Sequence, residues 1–307
     1  METPKSIKVI ISTFLLFSFL SSCINDDIQV DTNPNPETIS IDSIGPISID
    51  EIEGGFWRNE NHAQGICFTE NGIVISNTFQ LIKWNFDVNR VVDERRCWNI
   101  SEGCDNKFHY GDIASGEGDL WVAYHEGEWE ENFDCNINRI IRYEDEVISE
   151  EYTPIIYNVD YQGHIGAIEV YNGKLYVSGK FIPNDYDGEE CFDSLVIYVY
   201  DIASLDESAT CNMHEPENEI IIDRTGRWGV QALSITDDGF LFIAPYKCPY
   251  DTESFVYQTS LTDGLFTTIN FTNENWGFGL DNMENGKIFY CEDNRNKEAF
   301  YVKQYKR

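Results

Sequence analysis

Basic residues are scarce in this chain: 21 Lys and Arg stand against 54 Asp and Glu, a net charge of −33. A surface this acidic repels phosphate backbones and excludes nucleic acid as a partner. A sulfated or uronic-acid glycan would need a local basic patch, and the sequence has none. Catalytic signatures are missing as well. There is no G-x-S-x-G elbow, no H-E-x-x-H and no P-loop, and the absence of C-x₂-C excludes the usual structural zinc site. The N-terminal apolar run, Val9–Leu20, has 12 residues where a membrane span needs about 20. No long stretch shows helical periodicity, which excludes a helical fold. What the 307 residues do have is core material, 42% hydrophobic and 14% aromatic. That excludes disorder for most of the chain and allows one large domain or two small ones.

Met1–Ser22 reads as an export signal, with Lys5 and Lys8 ahead of the apolar run. It ends in Leu20-Ser21-Ser22-Cys23, which resembles the lipobox of bacterial lipoproteins. The resemblance implies that Cys23 is lipidated and anchors the protein without a transmembrane helix. Ile24-Asn25-Asp26-Asp27 is similar to the acidic tether of surface lipoproteins, a resemblance that implies the bacterial cell envelope, at the outer membrane, on its periplasmic face or the cell surface. Residues 23–37 form a lipidated linker, rich in Pro, Asn and acids near its end, and residues 38–307 the folded domain. The mature chain keeps 19 basic and 53 acidic residues, a net −34. Eight of the 9 cysteines remain after lipidation, an even number that suggests disulfides in an oxidising compartment. The preferred pairs are Cys97–Cys104, around a small loop, and Cys191–Cys211, flanking one predicted strand and its exit.

Five segments share one pattern, beginning at His62, His109, His164, Gly229 and Trp276. Four positions on comes an apolar residue (Ile66, Ile113, Ile168, Leu233, Leu280), then a turn glycine (Gly72, Gly118, Gly173, Gly239, Gly286). Asn-Gly or Asp-Gly fills the turn in four of the five, as tight hairpins prefer. Two more strand-like runs follow each hairpin, the first being Leu81–Phe86, Arg139–Tyr143, Leu195–Tyr200, Phe255–Ser260 and Ala299–Tyr305. The second is Arg90–Glu94, Thr153–Asn158, Glu219–Asp223 and Phe266–Phe271. The fifth copy lacks this last strand, and Ile44–Ile52 can supply it. The pattern resembles a five-bladed β-propeller: all-β, four-stranded antiparallel blades, with an N-terminal strand closing the ring. The 270 residues from position 38 give 54 per repeat, with the excess in loops 126–138, 182–193 and 202–218.

The first position of each repeat would lie at one mouth of the central channel. His62, His109 and His164 share that position, an arrangement suited to a divalent metal held by three imidazoles. The same imidazoles would equally cap strands or touch a ligand. Asp112, Glu169, Arg227, Trp228 and Trp276 fall near the same mouth. The carboxylates there would serve acid–base chemistry or bind backbone amides between blades, and Arg227 would hold a ligand carboxylate. The loop Asn184–Glu190 is a poor calcium loop, since Pro183 and Ser194 stand where its end ligands belong.

Three functions fit. The first is a membrane-anchored module that binds a glycan, peptide or protein at the channel mouth as a monomer. The second is a metal-assisted hydrolase or lyase using His62, His109 and His164. The third is a non-catalytic scaffold in an envelope complex.

Overall fold

Two-residue turns with positive φ at both positions set the hairpins. Asn172 (φ 50°) and Gly173 (φ 70°) form one, and Glu117 (φ 56°) and Gly118 (φ 85°) another. That handedness matches the twist of the flanking strands. Glu117 shows that the turn survives where the repeat lacks Asn or Asp. The computed structural model describes residues 42–48, 63–69, 72–78, 80–88, 90–96, 108–126, 137–161, 163–181, 194–208, 210–223, 229–245, 254–261, 266–271, 277–283, 287–293 and 299–305. All belong to one unit, Glu37–Arg307.

Strand β1 (Asp42–Ser48) precedes the hairpins. β2 (Ala63–Thr69), β3 (Gly72–Asn77), β4 (Gln80–Asn85) and β5 (Arg90–Arg96) form a meander. The next is β6 (Phe108–Gly116), β7 (Asp119–Glu126), β8 (Ile137–Tyr143) and β9 (Ile155–Val159). The third joins β10 (Gly163–Tyr171), β11 (Lys174–Phe181) and β12 (Ser194–Asp201) to β14 (Asn218–Asp223). Between β12 and β14, β13 (Thr210–Asn212) leaves its own sheet and pairs in parallel with β9. The fourth is β15 (Val230–Ile235), β16 (Phe240–Pro245), β17 (Ser254–Ser260) and β18 (Phe266–Phe271). In the last, β19 (Gly277–Met283), β20 (Lys287–Asp293) and β21 (Ala299–Tyr305) take β1 as their outer strand.

The fold is an all-β propeller of antiparallel sheets. The first strands of the sheets adjoin one another in the order β2, β6, β10, β15, β19 and back to β2. β1 pairs antiparallel with β21, from Asp42 opposite Gln304 to Ser48 opposite Ala299. This strand begins two residues earlier than the expected Ile44, and residues 49–52 lie outside the described residues. Pro46 sits at a register shift in β1, where an edge strand tolerates a residue without an N–H. The expected loop 202–218 is not plain loop, because it contains β13 and a 3₁₀ turn, Ile202–Ser204. Among the described residues no helix is long and apolar enough to cross a membrane.

The core lies between adjacent sheets. One cluster joins Trp121, Ile140 and Tyr157 of the second sheet to Ile165, Leu175 and Tyr200 of the third. Another joins Val74 and Leu81 to Tyr110, Val122 and Ile141, and a third joins Ile197 and Val199 to Leu233 and Ile243. The second and third sheets thus bury both faces, which is why their strands read as near-continuous apolar runs.

Candidate functional site

Every first hairpin has a bulge at the same place. The register shifts between Ala63 and Gly65, Tyr110 and Ile113, Ile165 and Ala167, Val230 and Ala232, and Phe278 and Leu280. A bulge bends its strand and redirects side chains, and here it lets the inner strands crowd the axis. A Cβ on Gly65 would stand 2.7 Å from Asp112 Cα, and one on Gly111 would stand 2.7 Å from the Gly166 carbonyl oxygen.

Buried polar groups cross this crowded axis. Asp112, on β6, is fully buried. Its Oδ2 accepts the amide of Leu233 at 3.0 Å and that of Ile168 at 3.5 Å, on two other sheets. Glu169, on β10, is 5% exposed. Its Oε1 accepts the adjacent Val170 amide at 2.8 Å and its Oε2 the Ile235 amide at 3.1 Å. Asp281, on β19, accepts the Phe68 amide of β2. Gln231 Nε2 donates to Gln64 Oε1 at 2.7 Å, joining β15 to β2. Burial pushes the Asp112 carboxyl well above the usual carboxylate range, and neighbouring Glu169 adds to it against the amides that favour the charge. Glu169 is raised too, first by burial and then by the Asp281 carboxylate. The Cys67 thiol is raised by burial, with Asp281 adding its charge. Glu169 and Asp281 share one repeat position with Cys67, Ala114 and Ser234, so the carboxylates gather at a common level of the inner strands.

A raised carboxyl binds its proton more tightly in the folded chain than in the unfolded one. Its stabilising contribution is therefore complete below the unfolded value, 3.8 for Asp112, and is lost as pH rises through the folded value. Asp112→Asn keeps an oxygen for both amides and cannot ionise. Its melting temperature relative to wild type should therefore rise as the pH is raised from 4.5, until the folded carboxyl ionises. A gap constant from pH 4.5 upward would show that the folded carboxyl is not raised.

The mouth residues fall out as follows. His164 is 3% exposed, and its ring packs on His125 with centroids 4.8 Å apart. His125 lies on β7 opposite His109 of β6. Asn138 anchors the start of β10 beside them, donating to the Tyr161 and Gly163 carbonyls and accepting the Ile165 amide. His62, Arg227, Trp228 and Trp276 lie outside the described residues, as does the His109 side chain. The three-imidazole metal site depends on them. Among the described residues no cluster of three His, Cys, Asp or Glu side chains is arranged for a metal. Cys23, Cys97, Cys104 and Cys191 are likewise outside.

Cys211 is described, and it corrects one expectation. It is a free thiol, its Sγ 3.6 Å from the Asp206 carbonyl. Its strand, β13, has crossed to β9 of the neighbouring sheet, away from the β12 strand that follows Cys191. Cys211 thus forms no bridge, and its strand pairs outside the sheet of β12.

No family model matches this chain, and no curated protein does. Among solved structures it is similar to CoXyl43, a GH43 β-xylosidase/α-arabinofuranosidase from a compost microbial metagenome solved with xylotriose. Identity there is 11%, coverage 86% of this chain and 94% of that one, and the TM-score 0.51. It is also similar to a GH43_1 enzyme from Xanthomonas citri, at 9% identity, 84% and 89% coverage and a TM-score of 0.52. At such identity these likenesses establish the fold alone, an all-β propeller.

Proposed function

We propose that this protein is a lipid-anchored module on the bacterial cell surface that binds a glycan at the mouth of its propeller. On this reading the five sheets are five blades in one ring, and β1 closes it by completing the sheet of β19–β21. Support for closure comes from the β1–β21 ladder and from the cyclic order of the inner strands.

The observation that carries the binding function is the state of the axis. Asp112, Glu169 and Asp281 already hold main-chain amides, and Gln64 and Gln231 bridge inner strands. A general acid or nucleophile has to reach substrate, whereas the Asp112 and Glu169 carboxyls are buried and their bonds to Leu233, Ile168 and Ile235 hold strands together. The inner strands thus make a rigid axis, leaving the loops on the faces to receive a ligand. The glycan class is supported by the propeller neighbour solved with xylotriose. The charge of −33 favours a neutral or cationic saccharide.

The test is binding of detergent-solubilised full-length protein to an array of neutral and basic oligosaccharides, with product analysis of each ligand retained. Saturable binding with the oligosaccharide recovered intact is expected. Cleavage of the retained sugar would replace this reading with the hydrolase, and absence of any saccharide binding would remove the glycan. Palmitate labelling, lost on Cys23→Ser, checks the anchor separately.

A further inference from the structure

The crossing of β13 builds a cleft that none of the mouth residues line. Its volume is about 760 Å³, and it lies between β8 and β9 on one side and β12 and the β13–β14 connection on the other. That is within the usual range of about 300–1,000 Å³ for small-molecule sites. Tyr198 and Tyr200, two residues apart on β12, both line it. They point to one face of the strand, as residues of equal parity do. Tyr161 meets Tyr198 edge-on at 5.1 Å and holds that ring in place.

Three carboxylates, Asp160, Glu215 and Glu219, complete the lining, and no lysine or arginine is part of it. All three act on both tyrosines, pushing their hydroxyls up beyond what burial alone does. The negative charge therefore converges on the rings instead of dispersing over the rim. Among the described residues none of the three has an ion-pair partner.

Tyr200 supplies the independent sign of a ligand. It is 3% exposed, and no hydrogen bond engages its hydroxyl among the described residues. A buried tyrosine hydroxyl ordinarily finds a partner. Here the hydroxyl keeps some exposure and Tyr200 lines the cleft, so its partner there is water or a polar group bound in the cleft. Aromatic faces attract cations, and three uncompensated carboxylates add charge selectivity.

We propose that this cleft is a second binding site, specific for an organic ammonium cation of about monosaccharide size. The ligand's carbon skeleton packs on Tyr198, its charge faces Asp160, Glu215 and Glu219, and a polar group completes the Tyr200 hydroxyl. An amino sugar and an aliphatic amine share this chemistry. The site stands apart from the channel mouth and does not depend on what binds there.

Titration calorimetry on the full-length protein tests it, with glucosamine and cadaverine as probes and glucose and 1,5-pentanediol as their neutral counterparts. One ammonium probe should bind saturably at one per chain, at least tenfold more tightly than its counterpart. Glucosamine alone binding identifies an amino sugar as the source, and cadaverine alone an aliphatic amine. Glu215→Gln/Glu219→Gln changes two exposed residues, so folding is preserved, and it should weaken binding at least tenfold. Tyr200→Phe should weaken it several-fold with an unchanged melting temperature. Failure of both ammonium probes to bind, equal binding of the neutral counterparts, or full affinity in the double variant would each overturn the proposal.

Discussion

At pH 4 Asp112→Ala should lower the melting temperature by about 5–15 °C, while Asp112→Asn should leave it within a few degrees of wild type. Alanine strips the acceptor from the Leu233 and Ile168 amides at a fully buried position. Each buried donor left unpaired costs about 1–3 kcal/mol, so about 2–5 kcal/mol is at stake. Removing the side chain also removes the carboxyl that Glu169 disfavours. That relief is small near pH 4, where the unfolded carboxyl is largely protonated as well, so the lost amide bonds win there. Asparagine retains an oxygen for the two amides, and its NH₂ takes the place of Oδ1. Equal destabilisation by the two substitutions, read by thermal unfolding, would mean that packing volume and not the amide acceptor holds the three strands.

The Gly65→Ala variant should lose about 3 kcal/mol or more, a large effect for one methyl group. The added Cβ would stand 2.7 Å from both Asp112 Cα and the Ile113 nitrogen. Both are backbone atoms of the neighbouring sheet, so no side-chain rotation relieves the contact. Gly118→Ala makes the informative comparison. Its φ is 85°, yet nothing lies within 4 Å of its Cβ position, so its cost is backbone strain alone, about 1–2 kcal/mol. Denaturant unfolding of the two variants separates crowding at the axis from turn conformation. If Gly118→Ala proved the costlier, the close approach of β2 and β6 would not be a determinant of stability.

The strand pattern was legible because its signals are local. Tight-turn chemistry and alternating apolar residues mark each hairpin, and Phe266–Phe271 and Ala299–Tyr305 coincide with β18 and β21. The detour of Thr210–Asn212 was not legible. Three residues carry little periodicity, and their choice of partner is made by the neighbouring sheet. The axis was half legible. Asp112, Glu169 and Gln231 stood out near one end of the inner strands, but Asp281 and Gln64 did not. Comparing the small residues Gly65, Gly111, Gly166, Ala232 and Gly279 across the repeats would have located the bulge, and with it the side chains that meet there. The cleft at Tyr198 and Tyr200 had no sequence signature, because its walls come from segments some 60 residues apart in sequence, brought together by the packing of two sheets and by β13.

The β13–β9 ladder also sets an order of disassembly. The second and third sheets share a main-chain ladder through β13 as well as the Trp121–Tyr157–Tyr200 core. Separating the second sheet from the third means breaking a backbone ladder and a core together. Under thermal or mechanical stress the propeller therefore parts elsewhere first. The second and third sheets persist as a paired remnant, with their amides the last to exchange with solvent.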